Sequence, residues 1–538
     1  MISGLVLYRL FVLSYVRHSA YSRTALAQRD NINNVLARGN IYLKDALSGD
    51  LFLAATNRKF PLVYLVPSKV DWADNIQTIE KVASTLGIET DSITKAISGR
   101  QDVSKVFKRK LTAEDVDKVK NLNLKGLGIS YEMDRFYPGR QLASNTIGFL
   151  GYDQEGRSGQ YGIEAYYDDE LFGKSRPSTG GGESFARPED VVLTIDKNIQ
   201  DFSEDRLDNL IKTWNAEGGS IIVQDPQTGK ILAMADRPSF DPNDYSDFAI
   251  SSFLNRGIQG VFEPGSSFKP ITMAMGLDLG KITPQTTFTD TGFVEISGYK
   301  INNFSERVFG TQTMSQVLEK SINTGAMFVQ GIVGDDNFLN YIINMGFGQK
   351  TGVDLPGEVG GDITNLYSRR KINYLTASFG QGIAVTPLQL INAYSAIANG
   401  GRLMRPYVVE KIIKEGGLEE VTKPEVISIP ISEKTSAKLR TMLVSVVDNG
   451  FDKARIKGYD IAGKTGTAQI PDGRGGYSEN EYIHDFLGFA PAFDPKFVIL
   501  IKMDRPKGIT FAADSLSPTF RELAQFLITY FKIPPTRK

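Results

Sequence analysis

The pattern of apolar and polar positions changes character near residue 190. Upstream, between residues 35 and 187, short apolar runs at 51–55 and 61–67 predict strands. Residues 74–86 and 113–122 repeat instead at helical spacing behind acidic starts and predict helices. Glycine-rich punctuation gathers between 148 and 182 and ends in Thr179-Gly180-Gly181-Gly182, the composition of a flexible loop near a domain boundary. Downstream the runs lengthen. Val191-Val192-Leu193-Thr194-Ile195-Asp196 predicts a strand followed by a helix over 197–215. Apolar runs at 219–224 and 230–234 flank the turn Asp225-Pro226-Gln227-Thr228-Gly229 and predict a hairpin. Near the C-terminus, 459–462, 465–470, 485–490 and 497–503 read as strands and 518–531 as an amphipathic helix. Strands at both ends of this half with helices between them predict an α+β fold, one sheet assembled from distant parts of the chain with helices packed on it.

At the N-terminus, residues 2–16 are apolar apart from Arg9. As a helix they span about 22 Å, short of the roughly 30 Å of a bilayer core. No small-residue cleavage site follows, so the stretch reads as an uncleaved membrane anchor over 1–17 or as a short buried helix. The polar run from 17 to 34 would lead away from it as a stalk.

Composition narrows the chemistry. With 538 residues, 41% of them hydrophobic, the chain has material for more than one domain. A formal net charge of −1 gives no electrostatic reason to expect nucleic acid as a partner. Cysteine is absent, which removes disulfides, thiolate metal sites and cysteine nucleophiles. His18 and His484 are the only histidines, so a histidine metal cluster or a Ser-His-Asp triad is hard to build, and no metal or cofactor is expected. His484 reads as a lone base or, more commonly for such a residue, as a partly buried structural histidine. The shortage of both residue types favours a serine assisted by lysine.

Such a pair lies in Val261-Phe262-Glu263-Pro264-Gly265-Ser266-Ser267-Phe268-Lys269-Pro270. If Ser266 opens a helix after the Pro-Gly turn, Lys269 follows three residues on along the same face, within reach of the hydroxyl. Backbone N–H groups freed at the helix start point toward the same oxygen. A serine hydroxyl is a weak nucleophile at neutral pH, and a lysine can act as its base once burial or a second cation lowers its pKa. The spacing alone is a weak signal, because Ser92-Ile93-Thr94-Lys95 and Ser297-Gly298-Tyr299-Lys300 share it and read more simply as polar surface. What singles out Ser266 is company: Ser321-Ile322-Asn323 and Lys464-Thr465-Gly466-Thr467 follow in order, completing SxxK, SxN and KTG.

Each motif has a double. Lys350-Thr351-Gly352 spells KTG between Gly346-Phe347-Gly348 and Asp354-Leu355-Pro356-Gly357, which is turn chemistry. Ser478-Glu479-Asn480 is a second SxN, in a polar Gly/Arg-rich stretch that reads as a loop and comes after the KTG. In Ala462-Gly463-Lys464-Thr465-Gly466-Thr467-Ala468-Gln469, alternation places Lys464 and Gly466 on one face and Thr465 and Thr467 on the other. A glycine inside a strand marks a bulge or a close backbone approach, so Gly466 is expected to reorient the ladder for a substrate lying along it.

In these three motifs the chain closely resembles the class B penicillin-binding proteins, monofunctional D,D-transpeptidases of peptidoglycan. The resemblance extends over nearly the whole length, through Tyr161-Gly162-Ile163-Glu164, Asn255-Arg256, Leu355-Pro356-Gly357-Glu358, Phe379-Gly380-Gln381-Gly382, Thr386-Pro387 and Gly488-Phe489-Ala490-Pro491. It implies a short membrane anchor (1–17), a mixed α/β pedestal resembling a dimerisation domain (18–190), and a penicillin-binding transpeptidase domain (191–538) whose antiparallel sheet carries packed helices. It further implies that Ser266 attacks the penultimate D-alanyl carbonyl of a stem pentapeptide with Lys269 as base, expels D-alanine, and passes the acyl group to an amine. Ser321 would relay a proton to the leaving amine, and Asn323 would orient Lys269 and the substrate amide. Lys464, Thr465, Gly466 and Thr467 would bind the substrate and its terminal carboxylate. The oxyanion hole would be the backbone N–H groups of Ser266 and Thr467. β-Lactams would acylate the same serine, and no candidate for a deacylating glutamate is evident.

The resemblance also implies a single-pass protein of the cytoplasmic membrane with its catalytic domain outside, partnered by a polytopic lipid II glycosyltransferase and the divisome. Glu263-Pro264-Gly265 resembles the division type, where elongation enzymes more often carry Pro-Pro-Gly. The family's Arg-Gly-x-Ile-x-Asp-Arg block is matched by Arg38-Gly39-Asn40-Ile41-Tyr42 but departs at Leu43 and Lys44. The competing readings are an elongation-type transpeptidase, a β-lactam-acylated sensor or scaffold without turnover, and a hydrolase.

Overall fold

The computed structural model describes residues 38–70, 75–97, 104–153, 156–172, 175–177, 183–185, 187–296, 298–450, 452–471 and 476–537. The expected anchor, its polar continuation and the Thr179-Gly180-Gly181-Gly182 loop lie outside them. No helix among the described residues is long and apolar enough to cross a membrane.

Two sheets organise the chain. The first contains β1 (Ile41–Lys44), β2 (Leu51–Leu65), β3 (Lys105–Lys108), β4 (Leu127–Phe136) and β5 (Asp190–Asp196). Residues 51–55 and 61–67, expected as two strands, are largely one 15-residue strand. Pro61 is tolerated there because its carbonyl accepts from Leu111 N (3.0 Å) on the edge opposite β4, so its missing N–H falls outside the β2–β4 ladder. The helices α1 (Asn75–Leu86), α2 (Thr90–Ile97) and α3 (Ala113–Asn121) cover this sheet through Val82, Leu86, Ile93 and Val119, which cluster with Val63. The first of the duplicate SxxK motifs falls within α2, away from any partner motif.

The strand at 190–196 does not join the one sheet expected from strands at both ends of this half. It pairs in parallel with β1, Ile41 opposite Val191, and antiparallel with Val409–Ile413. Leu43, which departs from the family block, is buried, and Lys44 pairs with Glu410 (2.9 Å) in that neighbouring strand.

Around β1 a buried ion network ties the N-terminal half together. Glu164 is fully buried and accepts from Arg38 Nε (2.6 Å), Arg135 Nε (2.7 Å) and the Tyr137 hydroxyl (3.1 Å), while Arg38 also reaches Asp168 (2.7 Å). Burial pushes the Glu164 pKa up, but Arg135 and Arg38 outweigh it and hold the carboxyl below its ordinary range. The folded pKa is therefore depressed, so this contribution to stability is present above the ordinary carboxylate pKa and is lost as pH falls through the folded value. Glu164→Ala leaves two arginines buried without their shared partner and is expected to cost about 3–5 kcal/mol, read as a lower urea midpoint with unchanged slope.

The second sheet has five antiparallel strands. The hairpin β6 (Gly218–Gln224) and β7 (Ile231–Arg237) comes from the middle of the chain, and β8 (Ala462–Pro471), β9 (Tyr477–Ala490) and β10 (Phe497–Asp504) from its end. The order is β7–β6–β10–β9–β8. Alternation along these strands builds two cores. Ile221, Val223, Phe486, Ile499 and Ile501 point to one side, against α4 (Lys197–Trp214), which supplies Leu207 and Leu210 to the same cluster. Ile222, Met234, Leu487, Val498 and Leu500 point to the other, where α5 (Lys269–Asp278), α6 (Met314–Glu319), α7 (Asn323–Val333) and α8 (Pro387–Ala398) pack. The C-terminal helix α9 (Ala512–Tyr530) joins α4 on the first side through Leu516, Phe520, Leu523 and Leu527. It starts before the expected residue 518, so Pro518 is internal. The first turn is held from outside: Ala512 N donates to Thr467 Oγ1 (3.1 Å), and Ser515 Oγ meets His484 Nδ1 (2.9 Å).

Candidate active site

Gly265 has a positive φ of 56°, and a Cβ there would meet Thr467 O at 3.1 Å, so the turn before Ser266 can press against β8 only as glycine. Gly265–Phe268 then forms a 3₁₀ turn that runs into α5. In a 3₁₀ turn residues three apart stack in line. Ser266 and Lys269 are such a pair, with Lys269 Nζ 2.9 Å from Ser266 Oγ. Pro270 sits within the first turn of α5, where its missing N–H leaves no helical bond unmade. The turn is braced from behind by the Tyr394 hydroxyl, which donates to Ser267 O (2.6 Å), and by Gly265 N donating to Gly380 O (3.0 Å).

Ser321 lies between α6 and α7 with φ 56°, a conformation unusual for a residue with a side chain. The strain aims both of its oxygens at lysine. Lys269 Nζ is 2.6 Å from Ser321 O and 3.2 Å from Ser321 Oγ, and Lys464 Nζ is 3.1 Å from the same hydroxyl. The three motifs, far apart in sequence, thus meet at one serine oxygen.

Both lysines are fully buried. Burial drives the Lys269 pKa well down, and the nearby Lys464 charge lowers it further. A neutral Lys269 can give its two hydrogens to Ser321 O and Oγ and turn its lone pair to the Ser266 hydroxyl. Burial also lowers Lys464, to about 7, against the opposing pull of Asp485. The pair is therefore biased toward a neutral amine at Lys269 and a cation at Lys464.

β8 is the edge strand, so one side of its backbone is open to an extended ligand. Its register with β9 runs without a shift from Ala462 to Gln469, so Gly466 makes no bulge. The glycine serves a close approach instead: a Cβ there would lie 2.2 Å from Asp485 Oδ2. Alternation is kept, with Lys464 on the side of the nucleophile and the Thr467 hydroxyl accepting from Ala512 N (3.1 Å) on the other. That hydroxyl still has its own proton to donate.

Asn323 begins α7 and gives its amide to Asn302 O (3.2 Å); among the described residues it forms no hydrogen bond with Lys269. His484 is buried, with Nε2 donating to Thr510 O (3.1 Å), and burial lowers its pKa to about 4. It braces α9 and is not a base for Ser266. Ser478 lies in strand β9 and not in a loop, while Lys350-Thr351-Gly352 forms no strand, as expected. Ser297 of the other duplicate lies outside the described residues.

Two contributors were not legible in the sequence. Glu263 accepts from Gly382 N (2.9 Å) and the Tyr477 hydroxyl (3.0 Å), clasping the start of β9 to the turn before the nucleophile. Asp485, in a stretch read only as an apolar strand, is buried beside Gly466. Its charge within an apolar run was the available signal, but its neighbour depends on the register.

A serine hydroxyl in reach of a buried lysine amine, a second lysine and an open strand edge form the arrangement of a serine acyl-transferase of the penicillin-recognising class. The family profile described as penicillin binding protein transpeptidase domain matches residues 219–525, and that described as penicillin-binding protein dimerisation domain matches 35–179. The chain belongs to the class B penicillin-binding proteins. Stage V sporulation protein D of Bacillus subtilis is 35% identical over 476 residues, which cover 84% of this chain and 73% of that protein. Peptidoglycan D,D-transpeptidase FtsI of Escherichia coli is 28% identical over 502 residues, covering 88% and 82%. The crystal structure of penicillin binding protein 3 from Mycobacterium tuberculosis, complexed with aztreonam, has a TM-score of 0.72 at 26% identity, covering 93% of this chain and 97% of that one.

Proposed function

We propose that the chain is a peptidoglycan D,D-transpeptidase that works through a Ser266 acyl-enzyme in septal wall synthesis. The observation that carries this is the Lys269 amine, buried and in reach of both Ser266 Oγ (2.9 Å) and Ser321 Oγ (3.2 Å). Lys269 takes the Ser266 proton as the hydroxyl attacks the penultimate D-alanyl carbonyl. The oxyanion is received by the N–H groups of Ser266 and Thr467. Ser321, placed between two lysines, passes a proton to the departing D-alanine. Lys464 supplies the positive charge for the substrate's terminal carboxylate, with Thr465, Gly466 and Thr467 along the strand, and Asn323, the first residue of α7, orients the substrate amide. An amine from a second stem peptide then takes the acyl group, and β-lactams acylate Ser266 in place of substrate.

The division between a pedestal at 18–190 and a transpeptidase domain at 191–538 is supported by the two profile matches, which lie on either side of it. Attachment to the cytoplasmic membrane by residues 1–17, with the catalytic domain outside and a lipid II glycosyltransferase and the divisome as partners, rests on the family likeness. A second reading, action in sporulation, is favoured by the 35% identity to a protein named for that process. In the native organism, depletion that blocks septation supports the first reading; normal division with defective spores supports the second. The activity itself is tested with a pentapeptide-bearing substrate: cross-linked product and released D-alanine are expected, whereas free acid without cross-links would point to a hydrolase.

The pH profile follows from the two lysines. Acylation needs Lys269 neutral and Lys464 charged, so its efficiency is expected to be bell-shaped, falling in acid as Lys269 takes a proton. It falls again in alkali as Lys464, poised at about 7 in the free enzyme, loses one. A stopped-flow acylation series across pH measures both limbs.

A further inference from the structure

Behind the nucleophile's turn lies a carboxyl group that the reaction scheme leaves unused. Asp485 is fully buried, and neither of its oxygens has a hydrogen-bond partner among the described residues. A buried carboxyl without a donor is costly, and natural structures retain such groups where they serve a purpose. Its place is set by register: Asp485 stands opposite Gly466 on β8 and opposite Lys502 on β10. Gly466 makes room for it, since any Cβ there would collide with the carboxyl group. Lys464 shares the face of Gly466 and is the diagonal neighbour of Asp485, a relation that spans about 7–8 Å between backbones and less between long side chains.

Charged and polar groups face Asp485 from each element around it. β8 presents Lys464, β10 presents Lys502, the 3₁₀ turn presents Ser267, and α8 presents Tyr394. All four also have other partners. Lys502 is paired with Asp504 and lies 5.1 Å from the Phe262 ring centroid. The Ser267 hydroxyl donates to Pro264 O (2.8 Å), and that of Tyr394 to Ser267 O (2.6 Å). Lys464 itself donates to Ser321 Oγ (3.1 Å) and Thr465 O (3.0 Å), and its charge acts on Asp485 ahead of that of Lys502.

We propose that Asp485 is a positioning residue for acyl transfer: its buried carboxylate keeps the proton on Lys464, and the Lys464 charge in turn keeps the Lys269 amine neutral. The inference rests on the roles given above to Ser266, Lys269 and Lys464. Burial raises the Asp485 pKa and lowers that of Lys464, and each charge opposes the shift of the other, so the two titrations are coupled. Removing the carboxylate leaves Lys464 easier to deprotonate and Lys269 easier to protonate, which erodes the asymmetry from both ends.

The test compares wild type with Asp485→Asn, which keeps the shape and removes the charge. Acylation efficiency with a fluorescent penicillin is measured from pH 5 to 9 after thermal melts establish folding. The alkaline limb of D485N is expected to move down by about one pH unit, so that acylation at pH 8 falls about tenfold while the loss at pH 6 is smaller. A uniform loss at all pH values, or an unshifted alkaline limb, overturns the proposal and leaves Asp485 as a packing group. If D485N melts below the assay temperature, Asp485→Ser carries the same comparison, because it also removes the charge and adds no amide. Failure of folded wild type to acylate would instead reject the assignment of Ser266, Lys269 and Lys464, so the two failures are distinguishable.

Discussion

Ser266→Ala is expected to abolish covalent labelling by a fluorescent penicillin, a loss of about 10⁴-fold or more, with the fold unchanged. Ser266 is half-buried, and among the described residues its hydroxyl meets Lys269 Nζ and supports no backbone group, so truncation removes one oxygen and little packing. Its neighbour Ser267 cannot take over. That hydroxyl is buried and donates to Pro264 O (2.8 Å), away from the base. Gel fluorescence after incubation with excess probe gives the result directly, and residual labelling at a rate near wild type would move the nucleophile elsewhere.

Lys269→Met is expected to lower acylation by about 10³-fold, within the range that a positioned general base supplies. Methionine fills most of the lysine's volume, so the change removes the amine with little cavity. Two effects combine. Ser266 loses the acceptor for its proton, and Ser321 O, now without the 2.6 Å donor, no longer ties α7 to the nucleophile. The loss should lie in the rate of acylation at saturating probe more than in binding, because Lys464 and the β8 edge remain. A variant that acylates normally but binds probe weakly would assign Lys269 to recognition and leave the base unidentified.

The parts of this site legible in the sequence were those fixed by local spacing. Ser266 and Lys269 are three residues apart, so their contact needs only a helical turn, and the three-motif order supplied Ser321 and Lys464. The α+β architecture was legible because β6 and β7 flank a strong turn and the C-terminal strands are long apolar runs. What depended on pairing was not. The strand at 190–196 looks like the start of the second sheet, yet its partner is β1, some 150 residues away in the chain. Gly466 was expected to bend the ladder, but its cause is Asp485 across the strand, which no local pattern names. The start of α9 was hidden by Pro518, since the turn before it is stabilised by Thr467 and His484 from another part of the chain.

The central claim is that acyl transfer runs through one serine, and mass spectrometry of the penicillin-treated protein tests it most directly. The account predicts a single penicilloyl adduct per chain, mapping after proteolysis to the peptide that contains Ser266. An adduct on any other residue, or none on folded protein, would contradict it.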